Sequence, residues 1–353
     1  MLNRLSLASI LMLSALFLTL PSSKSPASEL KVVASIKPIH SLVSSVMAGV
    51  GEPTLIIRGA TSPHTFNLCP SDARHLTEAD VIFVVGEDIE SSLVRHLNAL
   101  TEPANVVHLT ETPGLQLLDF RTDEDFADHE NDGHEDHDDH GHDDHGHDDH
   151  GHDDHGHDDH GHDDHGHDDH GHDDHHGHAH GEFDPHLWTD PAIAELIAMY
   201  VAEKLGEKDP ANAARYTDNA AQLIERLREL DAEVADILAP IKDRPYIVFH
   251  DAYQYFEVRY GLNSVATILL RPEQPPSANR LRAMRELIAE TGTICVFSEP
   301  QFPADIVDVI IEDTSVRSGV LDPIGAFLEN GPELYFMLIR TMASSLRTCL
   351  EGS

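Results

Sequence analysis

Short apolar runs alternate with longer amphipathic stretches in two separate parts of this chain. In the first part, residues 31–36, 54–57, 80–85 and 105–109 read as strands. Helical periodicity lies between them at 39–48, from Ser71 (placed as an N-cap) and at 89–100. In the second part, 246–249, 265–270, 293–297 and 316–320 read as strands, with helices at 253–260, 277–290, 305–311 and 333–350. Strand–helix alternation with short connections predicts parallel sheets covered on both faces. Between the two parts, 191–205 reads as a helix broken by Gly206 and Pro210. The longest uninterrupted helical pattern then runs over 211–238, with Leu223, Leu227, Leu230, Val234 and Leu238 on one stripe. A helix of that length spans about 42 Å, enough to cross a domain. The expected fold is therefore α/β: two lobes, each with a mostly parallel sheet flanked by helices, joined by one long rigid helix. The expected divisions are a signal peptide at 1–27, a first lobe at 28–209, a linking helix at 210–240 and a second lobe at 241–353.

The pattern fails completely over 123–182, within the first lobe. No large apolar residue stands between Phe126 and Phe183, and seven identical copies of His-Gly-His-Asp-Asp run from His140 to Asp174. This stretch holds 21 of the 28 histidines. It cannot bury a core, so a solvated loop is expected. Imidazole and carboxylate ligate borderline divalent metals, so the composition signals metal binding.

Charge sharpens that picture. The formal net charge is −40, and 123–184 carries 26 Asp and Glu with no Lys or Arg. Outside it 37 acids face 23 bases, a balance that argues against a nucleic-acid partner, which would need a basic face. At the N-terminus, Arg4, the apolar stretch 5–20 and Ser25-Pro26-Ala27 read as a secretory signal. The apolar stretch is interrupted by Ser6, Ser9 and Ser14 and is short for a membrane span. No cysteine lies near the cleavage point, so the mature chain is expected to be an unlipidated protein of a Gram-negative periplasm, without stable membrane insertion. In an oxidising compartment, Cys295 in a strand and Cys349 in the last helix are expected to form a disulfide. Cys69 is left over and reads as a small buried hydrophobe.

Seven histidines lie outside the tract. His64 follows a strand, His186 stands at a helix entry, and His250 ends a buried strand. Ligands of parallel sheets bind at the carboxyl ends of strands, which singles out His64 and His250. His40, His75, His96 and His108 read as helix-surface or strand-end residues.

Five motifs occur in order: Gly59-Ala60-(x)3-His64-(x)3-Leu68-x-Pro70-Ser71-Asp72, Asp184-Pro185-His186-Leu187-Trp188, Phe249-His250-Asp251-Ala252-Tyr253, Glu299-Pro300-Gln301-Phe302 and Leu321-Asp322-Pro323-Ile324-Gly325. Together they resemble the zinc- and manganese-specific solute-binding proteins of ABC importers (the ZnuA-like, cluster A-I type), over essentially the whole mature chain. The resemblance implies a receptor holding one metal between two lobes and delivering it to an inner-membrane ABC permease, and the chain is expected to be a monomer. It also implies His64, His186 and His250 as ligands, with Asp322 at the fourth-ligand position, and a supporting role for Glu299. Some zinc members carry an acidic residue just before the first histidine, where this chain has Pro63, and Cys69 stands where the family often has a basic residue.

Three imidazoles with one carboxylate or water make a nitrogen-rich tetrahedral set suited to Zn2+. Manganese-type members tend to place a carboxylate where His250 stands, so manganese is the alternative, as is a zinc store with the tract as its working part. The His-Glu-x-x-His and Gly-x-Ser-x-Gly patterns of hydrolases are absent, and the chain reads as a non-enzyme. The tract is expected to act as an auxiliary scavenger or sensor, with sites weaker than a preformed cleft because a flexible segment loses entropy on wrapping each ion.

Overall fold

The computed structural model describes residues 30–122, Phe126, 183–269, Pro272 and 274–352. The signal segment and the His/Asp repeats lie outside the described residues.

The first lobe is a four-stranded parallel sheet, β1 (Val32–Ala34), β2 (Thr54–Leu55), β3 (Val81–Val84) and β4 (Val106–His108), in the order β2-β1-β3-β4. Helices α1 (Lys37–Val46), α2 (Pro70–Thr77) and α3 (Glu87–Leu100) make the crossovers. β1 and β3 are apolar and buried throughout, as a parallel sheet covered on both faces requires. The second lobe repeats the plan with β5 (Tyr246–His250), β6 (Ser264–Leu269), β7 (Cys295–Ser298) and β8 (Arg317–Val320), all parallel, in the order β6-β5-β7-β8.

Between them run α4 (Pro191–Lys208) and α5 (Ala213–Leu238). The second lobe is completed by α6 (Gln254–Tyr260), α7 (Ala278–Thr291), α8 (Asp305–Ile311) and the closing α9 (Leu334–Glu351). The apolar stripe of α5 is buried from Tyr216 to Leu238 and packs on α1, α4 and α9. At 26 residues it is about 39 Å long. One apolar core extends through both sheets and this helix, and a smaller one lies under α7 and α8. Cys295 on β7 and Cys349 on α9 are disulfide-bonded, fixing the closing helix to the sheet.

Several local expectations are corrected. α4 continues through Gly206 to Lys208 rather than breaking there. A Cβ at Gly206 would stand 3.2 Å from that of Ala213, so the glycine permits the close turn into α5. Ser71 is not an N-cap: α2 starts at Pro70 and the cap position is Cys69. Cys69 is exposed, not buried, and its thiol lies 2.8 Å from the Asp72 carboxylate and 3.0 Å from the Ser71 hydroxyl. His40 is buried rather than on a helix surface, with Nε2 3.0 Å from the Pro53 carbonyl.

Candidate metal centre

The two sheets present their carboxyl ends to a common cleft, as parallel α/β topology dictates. His64 lies on a single 3-10 turn (Pro63–Thr65) that follows β2 and rests against α3. His186 precedes the turn Leu187–Thr189 that leads into α4. His250 is the last residue of β5. His186 and His250 are buried and His64 is half-buried. One ring nitrogen from each of the three lies within 4.8 Å of the others. Among the described residues, no other group of three His, Cys, Asp or Glu side chains converges in this way.

The geometry is that of a small-ion site. His64 Nε2 and His186 Nε2 are 3.4 Å apart. Zinc–nitrogen bonds of about 2.0–2.1 Å at tetrahedral angles set neighbouring nitrogens about 3.3 Å apart. The cavity the three rings share is about 10 Å³, room for a single ion or water, and is walled by Ile89, Trp188, Phe302, Pro323 and Ile324.

Two carboxylates fix the rings from behind. Asp184 Oδ1 accepts from the Nδ1 of His186 at 2.7 Å and from its backbone N–H at 2.9 Å. Glu299 Oε1 accepts from the Nδ1 of His250 at 2.8 Å and from its backbone N–H at 3.3 Å. With Nδ1 donating, each Nε2 keeps its lone pair for the cavity, the arrangement typical of metal-binding histidines. His250 Nε2 is buried with no hydrogen-bond partner, a group that costs about 1–3 kcal/mol unless something coordinates it.

The electrostatics differ between the two. Burial, with the charge of His250 nearby, holds His186 well below the usual imidazole range. Burial also opposes charge on His250, but the charge of Glu299, their hydrogen bond, and the charges of Asp251 and Asp184 outweigh it and raise its pKa. Asp184 is pushed up to about 7 by burial, against the opposing pull of the His186 N–H and Arg121.

Asp322 is not part of the converging group. Its carboxylate accepts from Gln301 Nε2 (2.9 Å) and from the backbone N–H groups of Ile324 (3.2 Å), Gly325 (3.0 Å) and Ala326 (2.6 Å). It thereby shapes the turn that brings Pro323 and Ile324 to the cavity wall, with Gly325 at φ +69°. Asp184 has no assigned role at the level of sequence; its place two residues before His186, in Asp-Pro-His, is the signal that marks it.

Residues 32–349 match the family described as zinc-uptake complex component A, periplasmic (ZnuA). A relative from Brucella suis biovar 1, named high-affinity zinc uptake system protein ZnuA, is 48% identical over 320 residues, covering 91% of each chain. A protein of the same name from Paracoccus denitrificans is 37% identical over 321 residues, again covering 91% of each. A crystal structure of a zinc-bound ZnuA deletion mutant superposes with a TM-score of 0.65 at 21% identity, covering 91% of this chain and 98% of that one. With the match spanning both sheets and all three histidine segments, the chain belongs to the ZnuA family of periplasmic zinc-uptake components.

Proposed function

We propose that this protein is a periplasmic receptor that captures one zinc ion between its lobes and delivers it to an inner-membrane ABC permease. The observation that carries this reading is the convergence of three Nε2 atoms on an ion-sized cavity, one of them buried and unpartnered. His64, His186 and His250 are the ligands. A water completes the tetrahedron, since the Asp322 carboxylate is already engaged by four N–H donors. An all-imidazole protein set favours zinc over manganese, which prefers oxygen ligands. The names carried by the Brucella and Paracoccus relatives support zinc as the cargo and uptake as the process.

The chain works as a binder, not a catalyst. It leaves the cytoplasm on the signal at 1–27 as an unlipidated monomer, and among the described residues no helix is long and apolar enough to cross a membrane. The histidine tract collects zinc at weaker sites and raises its local concentration near His186.

The test is a zinc titration of metal-stripped protein by calorimetry. The parent takes up one tightly bound ion and several weaker ones, and His250→Ala loses the tight one while keeping its circular dichroism. Deleting residues 129–180 removes the weak equivalents and spares the tight one. A His250→Ala protein that binds one ion as tightly as the parent refutes the ligand assignment. Loss of the tight ion on deletion refutes the proposed hierarchy.

A further inference from the structure

After β4 the chain leaves the first sheet, and residues 115–122 run as a strap toward the second lobe. Leu118 and Asp119 pair with the returning segment: Asp119 bridges Phe183 antiparallel, and Asp184 N–H donates to the Leu118 carbonyl at 2.7 Å. The Tyr255 hydroxyl of α6 pins both sides, accepting from Leu118 N–H at 3.1 Å and donating to the Asp184 carbonyl at 2.8 Å. The strap is thus joined to Asp184, which holds His186.

Its far end is Arg121, a buried cation that no motif singled out. Its guanidinium forks onto the Asp251 carboxylate, with Nε 3.0 Å from Oδ2 and Nη2 on Oδ1, and Nη2 also meets Glu257 Oε2 at 2.7 Å. The side chains of Arg121 and Asp251 are each 11% exposed and that of Glu257 3%. Glu257 in turn accepts from the Tyr246 hydroxyl at 3.0 Å. Tyr246 opens β5, and Asp251 directly follows His250 at its end. The Phe126 ring lies over the guanidinium, 4.4 Å from centroid to carbon, and closes the site from outside.

We infer that Arg121 is a positioning residue for zinc, the buried clasp that holds the His250 strand to the strap on which the His186 segment is paired. The inference rests on the three-histidine reading above. A bidentate guanidinium–carboxylate pair fixes direction as well as distance. Here it closes a ring of contacts running from His250 through Asp251, Arg121 and Leu118 to Asp184 and His186. Without the clasp each histidine keeps its own carboxylate and Tyr255 still ties Leu118 and Asp184 to α6, but the anchor at the end of β5 is lost and the two segments are held less firmly in mutual register. Zinc then binds a less preorganised set, and the loss falls on the dissociation rate.

The test uses the full-length protein, with zinc release followed by trapping the metal in a chromogenic chelator. Arg121→Met releases zinc about 10-fold faster than the parent, the low end of the 10- to 100-fold loss of affinity that follows removal of a ligand's direct partner, because Arg121 acts through Asp251. Arg121→Lys, which keeps the charge but not the fork, lies between. The double variant Arg121→Met/Asp251→Asn is no faster than Arg121→Met, because both remove one contact. Arg340→Met, which breaks the exposed pair with Glu233, releases zinc at the parental rate.

Arg121→Met leaves Asp251 and Glu257 buried without their cation, and such a protein can fail to fold. The neutral set Arg121→Met/Asp251→Asn/Glu257→Gln removes that charge conflict and is expected to fold with zinc release still accelerated about 10-fold. A folded Arg121→Met or neutral-set protein with the parental rate overturns the inference while leaving the histidine site standing. A parent that holds no tight zinc overturns the site itself. Additive acceleration in the double variant also overturns the clasp, since it assigns the two residues separate roles.

Discussion

Replacing Glu299 by Gln removes one buried charge beside His250 with almost no change in volume. Glu299 is 2% exposed, and its Oε1 holds both the ring and the backbone N–H of His250. The amide oxygen of Gln can keep those contacts, so the ring stays in place and the electrostatic part is isolated. Two opposed effects follow. The carboxylate makes Nε2 a better donor to zinc, and losing such a partner weakens metal binding by about 10- to 100-fold, or roughly 1.4–2.7 kcal/mol. The same carboxylate raises the pKa of His250, so in the parent protons compete with zinc more strongly. Each pH unit below a pKa costs the metal about tenfold at that ligand. Above the raised pKa only the first effect operates, and the variant shows its full deficit. As pH falls, proton competition penalises the parent first and the two affinities approach one another. Zinc affinities from chelator competition between pH 6 and pH 8.5 give the ratio directly. A ratio that stays flat, or widens toward acid, refutes the assignment of Glu299 as the partner that raises His250.

Two further predictions concern stability. Ser replacement of both Cys295 and Cys349, 54 residues apart in the chain, opens a loop whose closure is worth about 4 kcal/mol on the chain-entropy model, read as a lower urea midpoint; an unchanged midpoint contradicts it. Glu90, buried at the start of α3, is pushed up to about 7 by burial, against hydrogen bonds from the N–H groups of Val85 and Gly86. A carboxyl raised from 4.5 favours the folded state while protonated, and that advantage is lost as pH climbs through about 7. Glu90→Gln therefore gains on the parent by on the order of 3 kcal/mol between pH 4.5 and pH 8, and equal urea midpoints across that range contradict the ionisation of Glu90.

Most elements were legible because each carries its own period. β1 and β3 are short apolar runs, and α5 repeats an apolar position every three or four residues from Tyr216 to Leu238, over about six turns. Errors fell where a distant contact decides the local outcome. His40 is inside with its ring nitrogen on the Pro53 carbonyl, and Gly206 stands within a helix at the place where Ala213 leaves little room for a side chain. At the site, His64, His186 and His250 stood out as polar residues at loop and strand ends, positions where side chains meet a cleft. Asp322 came only from resemblance, and its turn-making hydrogen bonds are a tertiary fact with no periodic signature. Arg121 was invisible for the same reason: it is the last base before the acidic tract, and only the fold reveals Asp251 and Glu257 around it.

The most direct test of the zinc site is a crystal structure of zinc-loaded protein with anomalous data collected on both sides of the zinc absorption edge. One strong peak is expected in the cleft, about 2.0–2.1 Å from the Nε2 atoms of His64, His186 and His250. Rings still backed by Asp184 and Glu299 and a water in the fourth position complete the predicted arrangement. A peak bound through Asp322, or no peak among the three histidines while zinc occupies another site, contradicts it.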